Sequence, residues 1–426
     1  MREMKDSGIA GIGYIPKSWE VRRIKTLGAY RNGLTYSPND ICGDEGTLVL
    51  RASNVKNGRI VYDDNVFVSC VIKSELMVES GDILICSRSG SKELIGKSAI
   101  IDENANASFG AFMMIFRCDE PKYMFYVLNS PVFTYYLGTF FTSTINQLTG
   151  ANFGDMKIAY CPNKMEKSKI VKFLDKKCTE IDALTADIQT QIENLEQYKQ
   201  SVITEAVTRG MRKGSNLKES GVAWCPLIPD SWIVTNPKAL FVPRLKRAQK
   251  GERQLTASQK HGIIYQDDFL DLESQKVVTV EKGFSILKQV EPSDFVISMR
   301  SFQGGLEYSE VRGSISSAYV MLIPNAEKVY PPFYRWFFKS SKYINAIQST
   351  TNLVRDGQAM RYENFVQVPL FIIPIEEQKE IAKYLNGHVY EIDAVLMDKK
   401  AQLETLEEYK KSLIYEYVTG KKEVPA

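Results

Sequence analysis

Two stretches of this chain are written again later in the same order, and that duplication limits the fold more than any single motif does. Lys5 to Val21 reads KDSGIAGIGYIPKSWEV and Lys218 to Val234 reads KESGVAWCPLIPDSWIV, with about 9 of 17 positions identical. Glu166 to Thr208 then matches Glu377 to Thr419 without a gap at about 20 of 43 positions. The second match centres on Glu180-Ile-Asp-Ala183 against Glu391-Ile-Asp-Ala394. It closes on Leu195-Glu-x-Tyr-Lys-x-Ser201 against Leu406-Glu-x-Tyr-Lys-x-Ser412. The chain is one unit repeated.

Between the matched ends the halves diverge, leaving short echoes. Asp82-Ile-Leu-Ile-Cys-Ser-Arg-Ser89 aligns with Asp294-Phe-Val-Ile-Ser-Met-Arg-Ser301, Ala111-Phe-Met-Met114 with Ala318-Tyr-Val-Met321, and Ala52-Ser53 with Ala257-Ser258. These apolar runs, bounded by Gly, Asn, Asp and Ser, read as strands. Tyr123 to Leu137 and Pro332 to Ile347 have helical spacing of aromatic residues. Each half is therefore a mixed α/β domain followed by one long helix, with domains over 1–162 and 211–373 and helices over 163–210 and 374–426.

The helices carry apolar residues at 3-4 spacing. In the first these are Ile181, Leu184, Ile188, Leu195, Tyr198 and Val202, with Gln191 in the missing place. In the second they are Ile392, Val395, Leu406, Tyr409 and Leu413, with Gln402 in register and Lys399 interrupting. The two glutamines are polar seam residues of the kind that can fix register. Pro374 with Glu376 and Glu377 marks a helix start, Gly210 and Gly420 mark the two ends, and Asn386-Gly387 predicts a break in the second helix. A helix of about 40 residues reaches roughly 60 Å. Homologous helices related by a pseudo-two-fold axis pair antiparallel, which predicts an α+β chain whose two α/β domains are held apart by a coiled-coil rod.

Composition excludes other classes. The 426 residues carry a net charge of only +3, so nucleic-acid binding depends on basic residues sharing a face. The seven cysteines form no C-x-x-C pair and the only histidines are His261 and His388, which argues against a zinc site or disulfide framework and for reduced cytoplasmic thiols. The polar opening from Met1 to Gly8 does not read as a signal peptide, and no stretch is apolar enough to span a membrane.

Catalytic motifs are missing too. There is no F-x-G-x-G loop for S-adenosylmethionine and no G-x-x-x-x-G-K-[ST] phosphate loop. Tyr330-Pro-Pro-Phe333 has Tyr where an amino-methyltransferase needs a polar acceptor, and it reads as a turn opening an aromatic helix. Glu408-Tyr-Lys410 has the E-x-K spacing of some nucleases but lies on a coiled-coil helix.

The order and duplication of Ile15-Pro-x-Ser-Trp19 and Ile228-Pro-x-Ser-Trp232, of Gly81-Asp-Ile-Leu-Ile85 with Arg88-Ser-Gly90, of Pro374-x-x-Glu377-Gln378 with Ile381, and of the two Glu-Ile-Asp helices resembles the specificity (S) subunits of Type I restriction-modification systems. The first half departs from the pattern at Cys161-Pro-Asn-Lys-Met-Glu166, which lacks the Glu-Gln of the second and leaves its helix-start contact open. The resemblance implies a non-catalytic chain with two target-recognition domains that reads a split site in double-stranded DNA. It further implies two adenine-N6 methyltransferase subunits as partners and restriction subunits where present. S-adenosylmethionine, ATP and Mg would then sit on those partners and none on this chain. The alternatives are a coiled-coil adaptor without DNA affinity and a degenerate methyltransferase or nuclease.

Phosphate and base contacts favour Arg, Lys, Asn, Gln and Ser. The candidates are Arg51, Asn54, Lys56, Arg88, Ser89 and Lys92 in the first domain, and Arg244, Lys246, Arg247, Arg300, Ser301 and Gln303 in the second. Arg88 and Arg300 follow matching strands, which is the best positional argument among them.

Overall fold

The fold is described from a computed structural model over residues 2–102, 106–140, 147–212, 214, 216–249, 251–273, 286–299, 301–350 and 360–425. The chain divides into two compact units, Met1–Gln189 with Ala401–Ala426, and Thr190–Lys400. The division falls inside both long helices, so each unit owns one α/β domain and a piece of each helix.

In the first unit the central sheet runs Ser98–Ile100, Ile83–Cys86, Met113–Cys118, Gly28–Asn32, all antiparallel. Strand alternation sends Ile83, Ile85, Met114 and Phe116 to one face, against the aromatic helices Pro121–Leu128 and Pro131–Phe140. Leu84, Cys86, Met113 and Ile115 go to the other, against Leu50 and Phe109 of a smaller sheet and Val55 of a short hairpin. Ile83 to Cys86 is an unbroken apolar run because both of its faces are covered.

The second unit repeats this plan as Phe241–Pro243, Val320–Pro324, Phe295–Ile297, Glu307–Tyr308. Phe241, Phe295, Ile297 and Leu322 meet the helices, while Val296 and Met321 meet Leu255, Ile263, Val290 and Ile315. The outer layers differ: Thr47–Leu50 pairs in parallel with Ala107–Phe109, whereas Leu255–Ser258 forms a hairpin with Gly262–Tyr265. Asp82 and Asp294, matched in sequence, are buried and take up the backbone N–H three residues earlier. Each also holds a guanidinium in two hydrogen bonds, but from different places: Arg117 within the strand Met113–Cys118 in the first unit, Arg244 just after the strand Phe241–Pro243 in the second.

The long helices are present, Lys164–Arg209 (46 residues) and Ile375–Val418 (44 residues). Gly210 and Gly420, both at φ +69°, follow their ends as left-handed caps. The second helix does not break at Asn386-Gly387. Leu385 and Val389 are buried on either side, Asn386 accepts the Trp336 Nε1–H at 2.8 Å, and this packing outweighs the roughly 1 kcal/mol that glycine costs within a helix.

Within each unit the helix pieces run antiparallel. Phe173 packs on Tyr417 and Asp182 binds Lys410 in the first; Lys199 binds Asp393 and Glu196 binds Lys400 in the second. The packed rows follow strict 4-3 spacing through Cys178, Ile181, Thr185, Ile188, Ile192, Leu195, Lys199 and Val202, and through Val389, Ile392, Leu396, Lys399, Leu403, Leu406, Lys410 and Leu413. Ile181, Ile188, Leu195, Val202, Ile392, Leu406 and Leu413 lie in these rows, whereas Leu184, Tyr198, Val395 and Tyr409 are about half exposed. Alternate seam positions thus lie one residue later than hydropathy alone suggests. Gln191 and Gln402 fall outside the packed rows, and the polar seam residues are Thr185, Lys199, Lys399 and Lys410.

Each repeated Ile-Pro-x-Ser-Trp segment anchors a helix pair. Trp19 is fully buried, donates Nε1–H to Glu166 at the start of the first helix, and packs with Pro16 against Gly420. Trp232 does the same with Glu377, Pro229 and Gly210. Glu166 therefore keeps the helix-start contact that the sequence departure left open. Its neighbour Lys167, in the place of Gln378, is buried in an ion pair with Glu120, while Gln378 bonds backbone groups of Tyr330, Lys328 and Ile373. Tyr330 is the N-cap residue of the helix Pro331–Phe337, as its prolines predict.

Candidate nucleic-acid interface

The sheet register brings three connections to one end of each central sheet. In the first unit Cys86 pairs Met113 and Met114 pairs Asn32, so Ser87-Arg88, Phe112 and Gly33 emerge together. In the second, Ile297 pairs Val320 and Pro243 pairs Leu322, which gathers Met299, Tyr319 and the segment from Arg244 to Arg247.

In the first unit the Arg88 side chain is exposed, with its guanidinium carbon 5.2 Å from the centre of the Phe112 ring. Ser89 is half-buried and accepts the Ser91 N–H, and Lys92 is exposed at the head of a short 3-10 turn. Arg51 pairs with Asp64 and Lys56 with Asp63, each at 2.8 Å, so a carboxylate already competes for each charge. Asn54 is fully buried: it accepts the Arg51 N–H and donates to Val61 and Asp64 carbonyls, so its amide holds a turn together.

In the second unit Lys246 and Arg247 are exposed beside Leu245, and Arg247 donates to the Ile286 carbonyl at 2.6 Å. Lys288 lies across from Arg247; burial, and then the Arg247 charge, push its ammonium pKa down. Gln303 is exposed. Arg244 turns inward onto Asp294, whose carboxyl is pushed up by burial and drawn back by that guanidinium. Ser301 is buried and accepts the Ser298 N–H at 2.8 Å. Arg300 lies outside the described residues. The described candidates thus split into an exposed group (Arg88, Lys92, Lys246, Arg247, Gln303, with Lys56 exposed but paired), an inward group (Asn54, Arg244, Ser301), and half-buried Arg51 and Ser89. Phe112 and Leu245 join the exposed group without having been singled out from sequence, and half-buried Lys288, whose Nζ donates to the Tyr319 carbonyl at 2.6 Å, lies beside Arg247. For Phe112 the signal was there, an aromatic matched by Tyr319 just before the strand.

Known proteins resemble this chain in sequence and in fold. The model of the Type I restriction modification DNA specificity domain matches residues 16–194. The putative type I restriction enzyme MjaX specificity subunit of Methanocaldococcus jannaschii is 26% identical across 96% of this chain and 95% of its own length. Over nearly its whole length the chain is similar to specificity subunits of Type I restriction-modification systems. The EcoKI specificity subunit of Escherichia coli K12 is 23% identical over 87% of this chain and 82% of its own length. A solved chain from a structural study of complex assembly and conformational transition of the type I R-M system superposes with a TM-score of 0.68 at 13% identity, covering 96% of this chain and 99% of that chain. Specificity subunits are non-catalytic by family. Among the described residues of this one, no helix is long and apolar enough to cross a membrane.

Proposed function

We propose that this chain reads a split sequence in double-stranded DNA, one half with each α/β domain, and that the paired helices set the spacing between the halves. The recognition domains in this reading are 1–162 and 211–373, and the spacers 163–210 and 374–426. Two methyltransferase subunits dock on the duplicated helices, because each repeat offers an equivalent surface, and restriction subunits join where a system has them. S-adenosylmethionine, ATP and Mg are bound by those partners, in the cytoplasm with the genome.

One observation carries the reading: the same sheet end, on a repeated frame, presents unlike side chains. Arg88 stands over Phe112 in one unit, while Leu245, Lys246, Arg247 and Lys288 stand together in the other. A frame kept constant while its reading edge changes is what two different half-sites need. An adaptor has no use for the difference.

Modified-base sequencing of genomic DNA tests this in cells that carry the neighbouring methyltransferase with and without this chain. A split adenine-methylated motif present only with the chain supports the function. An assembled complex that leaves no motif rejects it in favour of a structural adaptor.

A further inference from the structure

The tip that carries Phe112 is built more rigidly than a surface loop requires. The Met113 N–H closes a turn onto the Gly110 carbonyl at 2.8 Å, with Phe112 as its third residue. Gly110 packs so closely on Gly33 that a side chain on Gly33 would collide with the Gly110 carbonyl oxygen at 2.2 Å. The Phe112 carbonyl then takes three hydrogen bonds from the neighbouring connection: Ser87 N–H at 2.9 Å, Arg88 N–H at 3.1 Å and Ser87 Oγ at 3.1 Å. On the far side, Arg88 bridges to Gln147 and the Leu148 N–H binds the Ser87 carbonyl at 2.7 Å. Yet the Phe112 ring is 56% exposed, so the core does not need it.

What this clamped ring does is hold Arg88. Among the described residues no carboxylate pairs with Arg88, unlike Arg51 and Lys56. A guanidinium over a ring face loses freedom without losing the N–H groups along its edge. A fixed fork of that kind suits the O6 and N7 acceptors of guanine in the major groove.

We infer that Arg88 reads a guanine in the first half-site and that Phe112 is its positioning residue. This rests on the DNA-reading function proposed above. Tyr319 stands at the matching place in the second domain, so an aromatic beside the reading connection belongs to the shared frame.

The test is selection of bound sequences from a randomised DNA library by the complete complex with its methyltransferase subunits. It compares the wild type with Arg88→Ala, Phe112→Leu and Phe112→Trp. The wild type should fix one G·C pair in the first half-site that Arg88→Ala relaxes by about tenfold or more. Phe112→Leu, which keeps apolar bulk but loses the ring face, should relax the same pair by about threefold. Phe112→Trp should retain the preference. The second half-site stays unchanged in every variant, which also certifies that the subunit is folded. Relaxation at a different position, or none in Phe112→Leu, overturns the positioning role while DNA reading stands. A wild-type complex that selects no sequence overturns DNA reading and this inference together.

Discussion

In the second unit Lys199 of the first long helix binds Asp393 of the second, and 211 positions away in the repeat Lys410 binds Asp182 in the first unit. The same ion pair is therefore made twice, each lysine sitting in a seam position and each aspartate flanking it. A lysine in an apolar seam weakens packing but tolerates only the register that supplies its partner.

Charge reversal should expose this specificity. Lys199→Glu should lower stability by about 1 kcal/mol or less, since both partners are partly exposed and screened. Lys199→Glu with Asp393→Lys should recover most of that, and Lys199→Glu with Asp182→Lys should recover none. Urea denaturation of these proteins together with Asp393→Lys and Asp182→Lys alone gives the coupling; equal recovery by both double variants would mean that the pairing is not register-specific.

The two tryptophan anchors should not be equally costly to lose. Glu166 also binds Arg2, so Trp19→Phe leaves its carboxylate partnered. Glu377 is buried, has one oxygen without a partner, and has Trp232 Nε1–H as its only side-chain donor among the described residues. Trp232→Phe should then cost about 2 kcal/mol or more, against about 1 kcal/mol for Trp19→Phe. Matching losses in denaturation midpoint would contradict this reading of Glu377.

Burial sets the thiol chemistry. It pushes Cys161 up to about 12 and Cys178, Cys225 and Cys118 up to about 11. An unfolded thiol titrates near 8.5, so above that pH the unfolded chain sheds protons that the folded chain keeps. Stability therefore falls as pH rises from about 8.5 towards the folded values. At pH 8 iodoacetamide should label half-exposed Cys42 and Cys70 well before buried Cys161, Cys178 and Cys225. Labelling of Cys178 as fast as Cys70, read by peptide mass mapping, would show that this packing opens.

Much of the fold was legible because repetition is a tertiary signal as well as a local one. Two copies of a helix with an apolar stripe, in one chain, call for two domains and an antiparallel pair. The seam register was not legible. Leu184 and Tyr198 look like core residues and Lys199 does not, yet Lys199 holds the seam place because Asp393 neutralises it. Hydropathy cannot register a charge that is satisfied from another element. The same limit applies at the interface: residue type marks Asn54, Arg244 and Ser301 as DNA-contacting chemistry, and only three-dimensional placement reveals that internal acceptors and donors have already claimed them.

That split among the basic residues yields a last prediction. Arg244 binds buried Asp294 through two hydrogen bonds, so Arg244→Ala strands a desolvated carboxylate and should cost about 3 kcal/mol of stability. Lys246 and Arg247 are exposed, and replacing either with Ala should leave stability within about 0.5 kcal/mol. Their loss should appear in binding instead. Each phosphate contact removed lowers the slope of log affinity against log salt by about 1 and weakens all sequences alike. Titrating the complete complex onto cognate and unrelated DNA at several salt concentrations separates the two roles. If Lys246→Ala left the slope unchanged, this cluster would not lie on phosphate. If Arg244→Ala changed the slope but not the denaturation midpoint, its pairing with Asp294 would be incidental.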